Sequence, residues 1–308
     1  LNQVYELKTL LASQGYFPSV EHEDISNELS RLNLDGSLLH ETQLLAVQKT
    51  MEVCNTLIRY LKGKKAEHPY LHALTQHVET SQEVVEEIAK IIDAEARVKN
   101  NASPELSRIR KQVAEKRRES DKRFYNYIHE LRKHGYLREN EEGFFNGRRT
   151  LAVLVEYKSE VPGFVHDKSE SGKTIFIEPG ATISINNEVA ELEIDEQREV
   201  NRILRELCAL IRPFATGMKE ALRVLTLVDF LKAKALFAID LNANLPEIKE
   251  NFELEIHSAV HPLLYLQNKQ SGKKTIPLDL SLNLKNRILV ISGPNAGGKT
   301  IALKTVGL

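Results

Sequence analysis

The sequence is poor in the features that define several protein classes. Cysteine occurs only twice in 308 residues, at Cys54 and Cys208, too far apart for a C-x-x-C pair or a metal-ligand spacing. Reduced, buried thiols are the expectation, and a disulfide scaffold is excluded. No run of 18 apolar residues occurs, which excludes a transmembrane helix, and the N-terminus has no secretory signal. A cytoplasmic chain without a membrane partner is therefore expected, and the Asn101-Ala102-Ser103 sequon carries no meaning there. Neither sign of charge dominates, with 42 Lys and Arg against 43 Asp and Glu. A nucleic-acid partner must be met by a local basic surface. The ten histidines are scattered, and neither a catalytic triad nor a metal cluster emerges from them. No internal repeat or low-complexity tract is present.

What remains is an ordinary globular composition, 42% hydrophobic, on a chain long enough for two or more domains. The first hundred residues read as helices. Over 81–98, Val84, Ile88 and Ile91 recur at helical spacing, with Val85 and Ile92 widening the apolar face. Ser103 followed by Pro104 then marks a fresh helix start. From Glu105 to His134 there is no Gly or Pro, and residues 108–123 carry eight basic residues against three acids. This predicts a long exposed helix ending at Gly135. Its basic run, Arg117 and Arg118 included, reads either as a solvated face or as a phosphate contact.

Between 143 and 186 short β-branched runs alternate with Pro162-Gly163, Ser171-Gly172 and Pro179-Gly180, which predicts an insert of three to five strands. The insert carries Arg148, Arg149, Lys158, His166, Lys168 and Lys173. Helix resumes afterwards, with Val200, Ile203, Leu207 and Leu210 on one stripe while Glu188, Glu191, Glu193, Asp195 and Glu199 face elsewhere. Two long helices bracketing strands suggest an antiparallel arm with a small domain at its end. Residues 217–243 are apolar on most faces, as expected of a core helix. The tail from 250 alternates strands and turns.

That tail contains Gly293-Pro294-Asn295-Ala296-Gly297-Gly298-Lys299-Thr300, a full match to G-x-x-x-x-G-K-[ST]. The apolar run 288–291 ahead of it reads as a buried parallel strand, and the residues after it as a helix. In that context backbone N–H groups wrap the β-phosphate of ATP, Lys299 reaches the β- and γ-phosphates, and the Thr300 hydroxyl binds Mg²⁺. Two lookalikes are set aside. Ser171-Gly172-Lys173-Thr174 has Asp167 where the first glycine belongs and reads as a β-turn. Phe176-Ile177-Glu178 resembles a mismatch-reading F-x-E wedge but reads as a strand with an outward Glu. No acidic strand end follows the loop to complete a Mg²⁺ shell, and there is no second signature loop. The chain itself is therefore expected not to hydrolyse ATP. Leu1 in place of Met, and a loop so near the last residue, read as a piece excised from a longer protein.

"GPNAGGKT", "AVHPLL" (259–264) and the arm ahead of them together resemble the MutS family of DNA-repair ATPases. "VPGFVHDKSESGKTIFIEP" (161–179), Asn186-Asn187 and a single Thr after the lysine resemble its second bacterial subfamily, the recombination-suppressing type with a C-terminal Smr nuclease domain. The resemblance spans essentially the whole chain. It implies a multidomain, mainly α fold: a helical core (1–103), an outgoing lever helix (104–136), a β-rich DNA clamp (137–186), returning lever and core helices (187–249), and the opening part of an α/β ABC-like P-loop ATPase (250–308). It further implies a homodimer, ATP and Mg²⁺ as cofactors, branched or structured DNA as partner, and endonuclease action by a domain absent from this chain. Within the clamp and lever it turns attention to Arg117, Arg118, Arg148, Arg149, Lys158, Lys168 and Lys173 as DNA contacts. Leu263 and Leu264 fall where such proteins pack against adenine, while Val260 stands where the family typically has Arg. The subfamily also implies an alternative, an ATPase that binds collided ribosomes through rRNA and splits them. A chromosome-condensing coiled-coil ATPase is disfavoured, because its phosphate loop precedes the arm.

Overall fold

The computed structural model describes residues 1–13, 16–145, 147–170, 172–294 and 297–308, with 138–141 described in backbone alone. Helices dominate, and two small antiparallel sheets accompany them. The chain falls into two compact units, neither of them continuous in sequence. One comprises residues 23–51 and 81–218, the other residues 1–22, 52–80 and 219–308.

The first unit is built on two long helices, α6 (Pro104–His134) and α7 (Gly180–Ile211). The start of α6 is well specified. Ser103 Oγ accepts the Leu106 N–H at 2.9 Å, Pro104 occupies the first turn, and Gly135 ends the helix in the left-handed region at φ 74°. Polar pairs run antiparallel along the two helices: Arg110–Glu196 at 2.7 Å, Lys116–Glu188 at 2.6 Å, Arg117–Glu193 at 2.5 Å and Ser120–Asn186 at 2.6 Å. Of the α7 acids expected to lie off its apolar stripe, Glu188 and Glu193 face the basic run of α6, as does Glu196. Each exposed pair is worth only about 0–1 kcal/mol, but together they fix the register and neutralise much of that run.

Between the helices lie β1 (Leu137–Phe145), β2 (Arg148–Leu154), β3 (Gly163–Lys168) and β4 (Thr174–Pro179). They form one antiparallel sheet in the order β1-β2-β4-β3. Period-2 alternation decides which side is covered. Leu151, Val153, Ile175 and Ile177 pack with Phe124, Ile128 and Leu131 of α6 into a buried cluster. Gly163 is required where β3 meets β4, because a Cβ there would overlap the Glu178 carbonyl and the Ile177 side chain. Elsewhere in this unit, α2 (Ser26–Leu32), the start of α3 (Glu41–Lys62) and α5 (Gln82–Ile91) add buried apolar residues. The helix expected over 81–98 stops at Ile91. Asp93 Oδ1 accepts the N–H groups of Glu95 and Arg97 at 3.1 and 2.8 Å, and Ile92 bridges Val98 across the reversal. This Asp-centred turn outcompetes another helical turn.

In the second unit, buried Glu6 of α1 (Asn2–Ala12) accepts the Tyr70 and Leu71 N–H groups at 3.1 and 2.8 Å, capping α4 (Pro69–Ala73). Helix α8 (Ala215–Asp240) buries Leu222, Leu225, Val228 and Leu231 but exposes Phe230, Leu236 and Phe237. It is therefore a one-sided core helix and is not enclosed on most faces. β5 (Leu254–Ala259) pairs antiparallel with β6 (Leu278–Leu282), with α9 (Pro262–Gln270) between them, and α10 (Lys299–Gly307) closes the sequence. The run 288–291 is not the buried strand its composition suggests. It has no ladder, and Ile288 and Val290 are 84% and 83% exposed. A parallel strand needs neighbours and covered faces, and among the described residues of this unit β5 and β6 pair only with each other.

Candidate nucleic-acid interface and phosphate loop

The candidate cations divide into two groups. Arg148 Nη1 lies 3.2 Å from both Glu178 carboxylate oxygens, and its Nη2 donates to Asn187 Oδ1 at 2.8 Å. Arg149 donates to Asp121 and Glu142, each at 2.8 Å, and its guanidinium centre lies 5.1–5.8 Å from the Phe124, Tyr125 and Phe144 ring centroids. Arg117 is held by Glu193. These three arginines act first as struts.

Arg118, Lys158, Lys168 and Lys173 are exposed and, among the described residues, have no carboxylate partner. Lys168 and Lys173 flank the β3–β4 hairpin at one end of the sheet, and Lys158 lies on the segment 155–160 that starts beside it. Lys168 ends β3, and Lys173 immediately precedes β4 across the hairpin. The Val155 N–H, at the start of the segment carrying Lys158, donates to the Lys173 carbonyl at 3.2 Å. The Ser171-Gly172-Lys173-Thr174 lookalike falls in this hairpin, where Gly172 at φ 69° donates to the Ser169 carbonyl at 2.8 Å. Its Ser171 lies outside the described residues.

Glu178 overturns the expectation of an outward side chain. It is 1% exposed and accepts from Arg148, from His166 Nε2 at 2.8 Å and from Asn186 Nδ2 at 2.8 Å. Burial pushes its pKa up, but the Asn186 and His166 hydrogen bonds and the Arg148 charge outweigh this and hold it below the usual carboxylate range. No local signal at Phe176-Ile177-Glu178 announces this burial, because the donors come from β2, β3 and α7.

The loop at 293–300 was expected to bind phosphates, and Asn295 and Ala296 lie outside its described residues. Gly293 and Gly298 have φ values of 148° and 86°, and a Cβ on Gly297 would sit 3.1 Å from the Pro294 carbonyl. The turn therefore needs glycine. Lys299 Nζ folds back to the Gly293 and Pro294 carbonyls. α10 begins at Lys299 with no side-chain cap, so its first N–H groups have no intrahelical acceptor. Beside the loop is a cavity of about 410 Å³ whose lining includes His261, Leu264, Ile276, Pro277, Gly297 and Gly298. Among the described residues, buried His261 Nδ1 has no hydrogen-bond partner. Of the two leucines, Leu264 lines this cavity and Leu263 is exposed.

Comparison with known proteins identifies the relatives of this arrangement. The chain is 34% identical over its full length to endonuclease MutS2 of Pediococcus pentosaceus (strain ATCC 25745 / CCUG 21536 / LMG 10740 / 183-1w), covering 39% of that protein. It is 32% identical over 98% of its length to endonuclease MutS2 of Alkaliphilus oremlandii (strain OhILAs), covering 38% of it. The chain belongs to the MutS2 family. A third MutS2, from Carboxydothermus hydrogenoformans (strain ATCC BAA-161 / DSM 6008 / Z-2901), is 36% identical over 86% of the chain and 32% of its own length. The chain thus spans between 32% and 39% of the length of these MutS2 proteins. No protein-family model matches it. Among the described residues no helix is long and apolar enough to cross a membrane, and no group of His, Cys, Asp and Glu is placed to hold a metal.

Proposed function

We propose that this chain is the DNA-contacting and nucleotide-gripping part of a MutS-type ATPase and endonuclease that restrains homologous recombination by clamping branched or mismatched DNA. The observation that carries the reading is the β module at 137–179. It stands between two long paired helices and presents Lys158, Lys168 and Lys173 without acidic partners among the described residues, in a chain matched along its length to proteins named endonuclease MutS2. In this reading the lysines meet phosphate, while Arg148 and Arg149 keep the module rigid.

The described residues of the 293–300 motif would hold a nucleoside triphosphate with Mg²⁺. When bound, ATP supplies the free energy that drives clamp opening and closing. Lys299 would exchange the Gly293 and Pro294 carbonyls for phosphate oxygens, the glycines would let the backbone approach, and Thr300 would offer its hydroxyl to Mg²⁺. Leu264 and the orphan His261 nitrogen would face the base. Dimerisation of the full-length protein belongs to the same reading. Lys299→Ala should abolish nucleotide binding by this chain in calorimetry, and binding unaffected by that substitution would contradict the phosphate assignment.

The direct test is binding of the chain to a four-way junction and to a linear duplex across a salt series. Tighter binding to the junction, with affinity falling steeply as salt rises, is the expected result. Salt-independent binding, or binding only to ribosomes, would overturn the reading.

A further inference from the structure

The side of the sheet opposite the α6 cluster carries a second surface, made of rings. Phe145 and His166 centroids are 4.9 Å apart with planes tilted by 30°, and Phe164 meets His166 edge-on, also at 4.9 Å. Phe164 is 60% exposed. The middle ring is immobilised from below, because His166 Nε2 is hydrogen-bonded to buried Glu178, which Arg148 and Asn186 hold in turn. A bulge between Val165 and Asp167 sets His166 out of the regular alternation of β3.

We infer that Phe164, supported by His166 and Phe145, is a stacking platform for an unpaired nucleobase, so that the β module reads single-stranded character as well as phosphate. Three observations choose this occupant over a protein partner. The strongly exposed apolar group is a planar ring, Phe164, backed by the half-buried rings of His166 and Phe145, which suits a flat π-system better than a helix. Its anchoring removes the rotational freedom that a stacked base would otherwise have to freeze out. Lys168, exposed and without an acidic partner, lies on the same edge strand, two residues beyond His166. Stacking is indifferent to sequence because every base has a π-face. The platform would therefore favour flaps, gaps and junction centres over continuous duplex whatever their sequence.

The inference rests on the DNA-binding reading above, and its test separates the two. An oligonucleotide with 2-aminopurine in a single-stranded gap is titrated with the chain, following anisotropy for binding and fluorescence quenching for stacking. The expected result is quenching on binding by the unaltered chain. Phe164→Ala should abolish the quenching and weaken gap binding roughly 5- to 100-fold while leaving duplex affinity within twofold. Phe164→Tyr should restore both signals. Lys168→Ala should weaken gap and duplex alike and keep the quenching. Phe164 is exposed, so its replacement leaves the module folded. Binding without quenching, or quenching unaffected by Phe164→Ala, would overturn the platform and leave DNA binding standing. Absence of binding to either DNA at low salt would overturn both.

Discussion

Two short runs that both read as strands meet opposite fates in this chain. "RRTLAVL" at 148–154 becomes β2, with Leu151 and Val153 fully buried, while "ILVI" at 288–291 lies without a ladder and mostly exposed. Local propensity does not separate them. The first has β1 and β4 as hydrogen-bonded neighbours and Phe124, Ile128 and Leu131 of α6 as a lid. The second has none of these among the described residues of its unit. A strand is thus specified by what is placed beside it.

The contrast predicts unequal responses to substitution. Phe124→Ala should remove about 3–5 kcal/mol from the first unit, since it hollows a closed core, whereas Ile288→Ala should change urea stability by less than about 0.5 kcal/mol. Comparable losses would show that 288–291 is buried in solution. Next in size is Glu178→Ala, which strands Arg148, His166 and Asn186 together. It should cost on the order of 3 kcal/mol by chemical denaturation, and a neutral result would remove Glu178 from its central place.

Smaller effects probe the ends of the arm. Ser103→Ala should cost about 1 kcal/mol by losing the α6 cap, and it also frees Glu199, to which Ser103 Oγ donates at 2.6 Å. The hydrogen bonds from Arg202 and Ser103 lower the Glu199 pKa from 4.5 to about 2. A depressed carboxylate pKa stabilises the fold above the unfolded value and loses that contribution as pH falls towards the folded one. Stability should therefore decline between about pH 4.5 and 2, and the decline should be shallower in Glu199→Gln. An unchanged acid profile would mean the pairing is not formed in solution.

Much of this was legible in the sequence, and the failures have a common cause. Ser103-Pro104 and Gly135 declared the ends of α6 to the residue, and the breakers at 162–180 announced the sheet. Both are local signals. Partners were not legible. The basic run of α6 gave no sign that Glu188, Glu193 and Glu196 would face it, because that depends on an antiparallel register set roughly eighty residues later. Glu178 read as outward because a strand-end acid usually is; its donors come from β2, β3 and α7. The glycines and lysine at 293–300 were plain as a motif, while the exposure of the run ahead of them follows from absent neighbours that no motif encodes.

The central claim is that the unpaired lysines of the β module, and not its most conspicuous arginines, meet nucleic acid. It is tested most directly by the salt dependence of duplex binding in a chain carrying Lys158→Ala, Lys168→Ala and Lys173→Ala together. Each phosphate contact contributes about 0.9 to the slope of log affinity against log salt, so losing three should reduce that slope by about 2.7. The account predicts a reduction of that order with the fold intact. A slope identical to that of the unaltered chain would contradict it.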